Sequence, residues 1–315
     1  MKNYSNETAR NSNRNSIITA FTIWIIFLSM GAFWYFKTGR RFFIFDLPYI
    51  GSSIALGILL GAVLPKRFKH YGRRVTQLLV GIYMLCILGF VMKVNMQIES
   101  FFFYALAGAI GGAIIHYLPA KLLGPAVFSR GFCGWACWTA MVLDFLPWKT
   151  PRNGRYKYLG IIRYIHFILS FILVAFLFFT LSYFPDNGTI EVLAWLSAGN
   201  VFYYSAAVLL AYLFRDNRAF CKYLCPIPVL QKITARFSVF KIKIDLSKCI
   251  DCGLCERKCP MNIRLLEYSH AGKRILSTEC ILCNICVEVC PKHAVDISSG
   301  FDFGFQEYIN FKKRQ

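Results

Sequence analysis

Two cysteine runs near the C-terminal end decide the architecture of this chain. The first, CIDCGLCERKCP, extends from Cys249 to Pro260, and the second, CILCNICVEVCP, extends from Cys280 to Pro291. Both have the spacing C-x2-C-x2-C-x3-C-P, and the second begins 31 residues after the first. Paired cysteines also form zinc knuckles and disulfide scaffolds. The tandem copies, each with a trailing proline, instead favour one duplicated domain.

This spacing is typical of two-cluster bacterial ferredoxins, in which the fourth cysteine of each run ligates the other cluster. The pattern therefore predicts two [4Fe–4S] clusters with crossed ligand sets. The first set is Cys249, Cys252, Cys255 and Cys290, and the second is Cys280, Cys283, Cys286 and Cys259. Just before the first run, residues 240–245 alternate apolar and polar side chains, which predicts a half-buried strand. We expect a small α+β ferredoxin domain over residues 237–315.

The rest of the chain has the composition of a membrane protein. The 315 residues are 57% hydrophobic and 17% charged, with 30 phenylalanines and a mean hydropathy of +0.47. A bilayer-spanning helix needs roughly 20 apolar residues. Residues 1–236 are expected to form a polytopic α-helical membrane domain with about six spans: Ile17–Phe36, Leu47–Leu64, Val75–Met92, Phe101–Leu118, Tyr164–Phe184 and Val192–Phe214.

The charge distribution argues against nucleic-acid binding. The net charge is +20, but residues 241–315 hold 12 Lys/Arg against 9 Asp/Glu, which leaves +17 in the hydrophobic part. There the basic residues cluster between apolar runs, as topology determinants do. Their excess after the second and fourth spans predicts a multi-pass protein of the cell inner membrane with both termini and the ferredoxin domain in the cytoplasm. Reduced cysteines fit that compartment.

A second cysteine set lies in the hydrophobic part. Cys133 and Cys137 follow the fourth predicted span, and Cys221 and Cys225 follow the sixth. On a helix, x3 spacing places two thiols one turn apart on the same face. Four thiolates from two pairs at the cytoplasmic face are enough for a third [4Fe–4S] cluster. The alternatives are redox-active dithiols, a copper site, or inert buried thiols.

These motifs together resemble the membrane polyferredoxins, which include the membrane ferredoxin of periplasmic nitrate reductase systems, the nitrous oxide reductase maturation factor and the copper reductase of haem–copper oxidase assembly. The resemblance covers residues from about 120 to 300 and implies electron transfer between the quinone pool and a redox partner protein. Trp138 stands where the family usually has a proline after the first pair. The [ST]GA[ST] motif of larger relatives is absent, so no covalent flavin is expected.

Ionisable residues near the predicted membrane face are further candidates. His116 and His166 lie near the inner ends of the fourth and fifth spans, where they would contact a haem, contact a quinone headgroup, or pack through hydrogen bonds. Arg163 is interpreted as a headgroup anchor, and Asp144 as the partner of a local amide or arginine. Neither is assigned a catalytic role.

The sequence therefore predicts a membrane-bound iron–sulfur protein that relays electrons between the quinone pool, or a membrane partner, and a redox partner. Two other functions fit the same motifs. One is a metal reductase that passes electrons to copper during cofactor assembly, and the other is a redox sensor or assembly factor for another metalloenzyme. The motifs leave open the direction of electron flow, the identity of the partner and the oligomeric state.

Overall fold

The computed structural model describes residues 2–65, 68–151, 154–302 and 306–312. The chain divides into two compact units, residues 1–82 and residues 83–315.

The first unit consists of three helices, α1 (Lys2–Thr38), α2 (Phe42–Val63) and α3 (His70–Ile82). Helices α2 and α3 approach closely at Gly57 and Gly72. A Cβ atom at Gly57 would lie 2.6 Å from the Gly72 carbonyl oxygen and 1.8 Å from Thr76 Oγ1. Small residues at such crossings let helix backbones meet in lipid, where the hydrophobic effect does not hold helices together.

The second unit begins with a π-helical segment, Tyr83–Val91, and continues through mostly short helices. These are α4 (Ile98–Leu106), α5 (Gly112–Tyr117), a π-helical turn (Leu118–Leu123), α6 (Gly124–Phe128), α7 (Gly131–Trp135), α8 (Trp138–Leu143), a 3-10 turn (Leu159–Ile161), α9 (Ile162–Leu181), α10 (Ile190–Phe214), α11 (Ala219–Tyr223) and α12 (Ile227–Ala235).

Five helices of the described residues are long and apolar enough to cross a membrane: Arg14–Thr38, Phe42–Val63, His70–Val91, Leu159–Leu181 and Ile190–Phe214. Large apolar side chains point outward from them, with Phe36 83% and Phe179 71% exposed. Apolar helices of this length with apolar outer faces are those of a membrane protein.

The expected fourth span, residues 101–118, is not one continuous helix. Helix α4 ends at Leu106, Gly108 has a φ of +62°, and α5 begins only at Gly112 after an extended Gly111. Glycine lowers helix stability and accepts left-handed backbone conformations, so this glycine-rich stretch breaks the helix. A count of apolar residues alone predicts a continuous span here, because it gives the glycines too little weight.

The C-terminal region is built on a two-stranded antiparallel sheet. Strand β1 (Phe240–Ile244) pairs with β2 (Val295–Ser299), with Phe240 opposite Ser299 and Ile244 opposite Val295. The predicted strand before the first cysteine run is thus confirmed. Between the strands lie α13 (Leu254–Arg257), α14 (Leu265–His270) and α15 (Ile285–Val289). Ile242, Met261 and Tyr268 form the centre of its core, which also includes several cysteines of both runs.

We expect Gly57→Ala to destabilise the first unit by about 1–3 kcal/mol, because its methyl group would overlap the α3 backbone. Thr76 cannot simply rotate away, since its hydroxyl donates to the Ser53 carbonyl. Gly61→Ala is the matched control, because its Cβ atom would meet only Lys69 O at 3.8 Å. Circular dichroism during titration with a denaturing detergent gives the unfolding midpoint of each variant. Equal midpoints for the two variants would contradict the packing argument.

Candidate metal centres

The first predicted cysteine set surrounds one cavity. A cavity of about 340 Å³ is lined by apolar side chains and by the four cysteines of this set, Cys249, Cys252, Cys255 and Cys290. Cys252 is exposed, so this site opens to solvent. The backbone N–H of Ala294 donates to Cys290 Sγ at 3.3 Å. Hydrogen bonds to sulfur and solvent exposure are two of the factors that set the potential of an iron–sulfur cluster.

The second predicted set surrounds another cavity, of about 380 Å³. Its cysteines are Cys280, Cys283 and Cys286 from the second run and Cys259 from the first. None of these four cysteines is exposed, whereas Cys252 of the first set is, so the cysteines of this site are the more buried. Each cavity is therefore lined by three cysteines of one run and the last cysteine of the other. Packing of α13 against α15 brings the two runs together.

The second cysteine set consists of Cys133, Cys137, Cys221 and Cys225, here called the membrane-face cysteines. These four residues are also neighbours. Cys133 is on α7 and Cys221 on α11, while Cys137 and Cys225 each lie two residues beyond the end of these helices. Burial, and then negative charge on Cys221, Cys133 and Cys137, raises the pKa of the Cys225 thiol well above its ordinary value. Thiolates this close together need positive charge to coexist, and a metal centre supplies it.

Among the described residues, no three His, Cys, Asp or Glu side chains are placed to hold a single metal ion. A cubane of four irons is larger than one ion and holds its four thiolates further apart. The cysteine groupings around the two cavities therefore suit a cluster better than a single metal ion.

The second cysteine run is docked on the first membrane-face pair. Three hydrogen bonds join them: Ser129 Oγ to Cys280 O at 3.1 Å, Arg130 N to Cys280 O at 3.2 Å, and Trp135 Nε1 to Leu282 O at 2.8 Å. Gly134 makes the closest approach, since a Cβ atom there would lie 2.2 Å from Ile281 O. The second cavity and the membrane-face set therefore lie on either side of one backbone contact.

The opposite side of the second cavity is held by the other membrane-face motif. Lys222, between Cys221 and Cys225, donates from Nζ to Asn262 Oδ1 and to Asp216 Oδ2. Arg155 donates from Nη2 to Met261 O at 2.7 Å. Met261 and Asn262 closely follow Cys259. Both loops that line the second cavity are thus fixed to the helical part of the unit.

Glu279, the residue before Cys280, is the centre of a buried ion-pair network. Its side chain is 2% exposed and contacts four cations from four separate segments. Arg130 Nη1 and Arg155 Nη1 lie 2.9 and 3.1 Å from Oε2, Arg163 Nη2 lies 2.7 Å from Oε1, and Lys232 Nζ also contacts Oε1. Burial alone would raise the pKa of this carboxyl group. The four cations, led by Arg155 and Arg130, outweigh burial and hold the pKa well below its ordinary value.

The structure corrects one side-chain interpretation and supports others. Arg163 is not a headgroup anchor: it is buried and paired with Glu279. Asp144 does hold an arginine, Arg218, at 2.7 Å. His166 Nδ1 lies 2.9 Å from the Leu224 carbonyl oxygen, which is a hydrogen-bonded packing role. His116 packs against the Phe132 ring, and its buried Nε2 has no hydrogen-bond partner among the described residues.

Positive charge exceeds negative charge around the membrane-face set and Glu279. Within the described residues, seven cationic side chains and three carboxylates surround these sites, an excess of four positive charges. The cations are Lys121, Arg130, Arg155, Arg163, Arg218, Lys222 and Lys232, and the carboxylates are Asp144, Asp216 and Glu279. Buried charge without counter-charge is costly. An iron–sulfur cluster held by four thiolates is a net anion, so the charges fit such clusters.

Unused hydrogen-bond donors lie in the same place. Four buried side-chain nitrogen atoms have no acceptor in the described part of the chain: Arg130 Nε, Arg130 Nη2, Arg218 Nε and Gln231 Nε2. Gln231 Oε1 accepts from Cys133 Sγ at 3.0 Å, and Arg218 Nη1 donates to the Cys133 carbonyl at 3.1 Å. Donors of this kind hydrogen-bond to cluster sulfur. The residues present therefore fit a bound cluster.

Sequence reasoning missed Glu279, Lys121 and Arg155, since none belongs to a cysteine motif. Each is an ordinary charged residue in the sequence, and only its burial distinguishes it. One signal was available: Lys121 stands in the apolar stretch before the first pair, where a charge is expensive.

Two family models match the chain at these sites. A 4Fe-4S dicluster domain matches residues 241–291, and a 4Fe-4S binding domain matches residues 117–155 and 201–245. The second model thus covers both membrane-face cysteine pairs. The fold and sites define a class, membrane proteins with 4Fe-4S ferredoxin-type domains.

Comparison with curated proteins identifies the family. The chain is 31% identical over 204 residues to the uncharacterized protein MJ0749 of Methanocaldococcus jannaschii, an alignment covering 62% of this chain and 76% of that protein. The chain belongs to the family of this archaeal protein.

Two relatives are less similar. The putative electron transport protein YccM of Escherichia coli is 27% identical over 49% of this chain and 48% of its own length. The methylamine utilization ferredoxin-type protein MauN of Paracoccus denitrificans is 28% identical over 49% of this chain and 55% of its own length. No solved structure gives a significant match.

We expect Glu279→Gln to lower the free energy of unfolding of the second unit by roughly 3–5 kcal/mol, because four cations would lose their buried carboxylate. Denaturant unfolding of the full chain followed by far-ultraviolet circular dichroism measures the loss. Asp296→Asn is the control, since Asp296 is exposed and an Asn oxygen can still accept its hydrogen bond from Ile297 N. Equal losses in both variants would show that Glu279 has no special role.

Proposed function

We propose that this protein is a membrane-bound electron relay with three [4Fe–4S] centres. The observation that carries the proposal is the backbone contact between Gly134 and Ile281. It sets the second cavity of the C-terminal region against the membrane-face cysteines, as a chain of adjacent redox sites requires. The similarity to YccM and MauN, which are named as a putative electron transport protein and a ferredoxin-type protein, supports the same activity.

In this proposal the crossed sets of the two cysteine runs hold two clusters, and Cys133, Cys137, Cys221 and Cys225 hold the third. Such clusters supply one-electron transfer without making or breaking substrate bonds. The residues of the chain position the sites: Arg155 and Lys222 hold the loop after Cys259, and Ser129, Arg130 and Trp135 hold the loop after Cys280.

The exposure of the cysteines suggests the order of the sites. Cys252 is exposed and Cys290 partly buried, so the first site is the one that a soluble redox partner can approach. The second site is enclosed between the first and the membrane-face motifs. The third lies among helices next to the apolar part of the chain, where a quinone or a membrane protein would exchange electrons. His116, with its unpartnered Nε2, is the candidate contact for a quinone headgroup.

We also propose that the cysteine-rich face lies in the cytoplasm and that the protein resides in the inner membrane. The excess of basic residues in the segments after the second and fourth predicted spans supports this orientation. A reducing cytoplasm also keeps cysteines available for clusters.

Metal analysis tests the number of centres. Iron and acid-labile sulfide in anaerobically purified protein should each be about twelve per chain, and about eight in a Cys133→Ser/Cys221→Ser variant, because one four-iron centre would be lost. Cys86→Ser is the matched control and should keep about twelve, since Cys86 belongs to neither pair. About eight irons in the unmodified protein would contradict a third cluster, and copper in place of the missing iron would favour a copper reductase.

A further inference from the structure

Lys121 is a buried lysine beside the membrane-face cysteines. It lies in the π-helical turn Leu118–Leu123 and is 2% exposed. Its Nζ atom lies 3.2 Å from the centroid of the Phe132 ring and 5.7 Å from that of Trp138. Phe132 directly precedes Cys133, and Trp138 directly follows Cys137. The ammonium group is thus held against the rings that flank the first cysteine pair.

Lys121 differs from the other buried cations of the second unit. Those cations have carboxylate partners: Arg130, Arg155 and Arg163 contact Glu279, Arg218 contacts Asp144, Lys222 contacts Asp216, and Lys241 contacts Asp302. Lys121 has no carboxylate partner and no hydrogen-bond acceptor in the described part of the chain; its contacts are aromatic. Ring faces offset only part of the cost of burying an ammonium group, so its charge requires a nearby anion.

Burial lowers the pKa of the Lys121 ammonium group, and negative charge on nearby cysteines of both pairs would oppose that shift. These cysteines are Cys137, Cys133 and Cys225. Two come from the first C-x3-C motif and one from the second, although the motifs are more than 80 residues apart in the chain. The lysine is therefore close to cysteines of both motifs. A cluster bound by these thiolates would be a net anion and would supply the negative charge that Lys121 lacks.

We propose that Lys121 is the built-in counter-ion of the membrane-face centre and raises the reduction potential of that centre above the value it would have without the charge. This inference rests on the proposed function. Reduction adds one electron to a site that is already a net anion, and a fixed positive charge at short range in a low-dielectric setting stabilises the added charge. No bond forms or breaks, and the electron comes from the neighbouring clusters of the C-terminal region.

The position of Lys121 makes its charge act mainly on the membrane-face centre. Its charge acts on the membrane-face cysteines, whereas the first site opens to solvent near Lys292 and the exposed Cys252. Water screens the charges around the first site more effectively than those in the protein interior. Lys121 thus stabilises an added electron at the membrane-face centre more than at the first site.

Redox titration of the full chain with detection by electron paramagnetic resonance tests the inference. In Lys121→Met, which keeps most of the length of the side chain but removes its charge, the ratio of reduced to oxidised membrane-face centre at a fixed poise should fall about tenfold, equal to about 59 mV for one electron. Lys121→Arg should keep the potential near that of the unmodified protein. Lys157→Met, at an exposed lysine, is the control and should shift no centre.

The outcomes separate this inference from the proposed function. An unshifted membrane-face potential in Lys121→Met, with about twelve irons present, overturns the counter-ion role and leaves the relay intact. If Lys121→Met holds only about eight irons but Lys121→Arg holds about twelve, the charge is needed for the centre to assemble, which supports the inference. Loss of iron in both variants overturns it, since shape rather than charge would then matter. About eight irons in the unmodified protein would instead refute the third centre itself.

Discussion

The second unit depends on a single buried carboxylate. Glu279 gathers cations from the segment before α7, the segment before α9, α9 itself and α12, and it does so next to the first cysteine of the second run. Without its negative charge, four cations would repel one another in the interior. The same residue therefore assembles the helices and fixes the loop that lines the second cavity. Packing of the helical part and placement of the cysteine sites therefore depend on the same residue.

Charge balance links this network to function. Glu279 neutralises only one of the four positive charges around it, and Lys121 lacks a carboxylate partner among the described residues. A protein interior tolerates such an excess when anionic groups are bound there. Clusters held by thiolates are such groups, and the same positive charges would set their potentials. Stability of the folded unit and tuning of the sites would then come from the same residues.

The spacing of the cysteines predicts which of them lie together. The crossed grouping of the two cysteine runs follows from C-x2-C-x2-C-x3-C-P, and the same groups line the two cavities. Strand β1 was predictable from alternation. The break in the expected fourth span was missed because apolar residues were counted without regard to the glycines between α4 and α5. Arg163 was misread because a basic residue at a helix end usually faces headgroups, and the sequence does not show a carboxylate more than 100 residues away.

The sequence by itself determined the chemistry that this chain can perform: twelve thiols in three groups of four, and helices apolar enough for lipid. Ligand spacing and hydropathy are local properties, so they can be read in order along the chain. Only the tertiary structure decided which sites are adjacent, because Gly134 and Ile281 come into contact. It also decided which buried charges remain unbalanced, namely those around Glu279 and that of Lys121. Contacts and electrostatic energies depend on distances between residues far apart in sequence, and folding alone sets those distances.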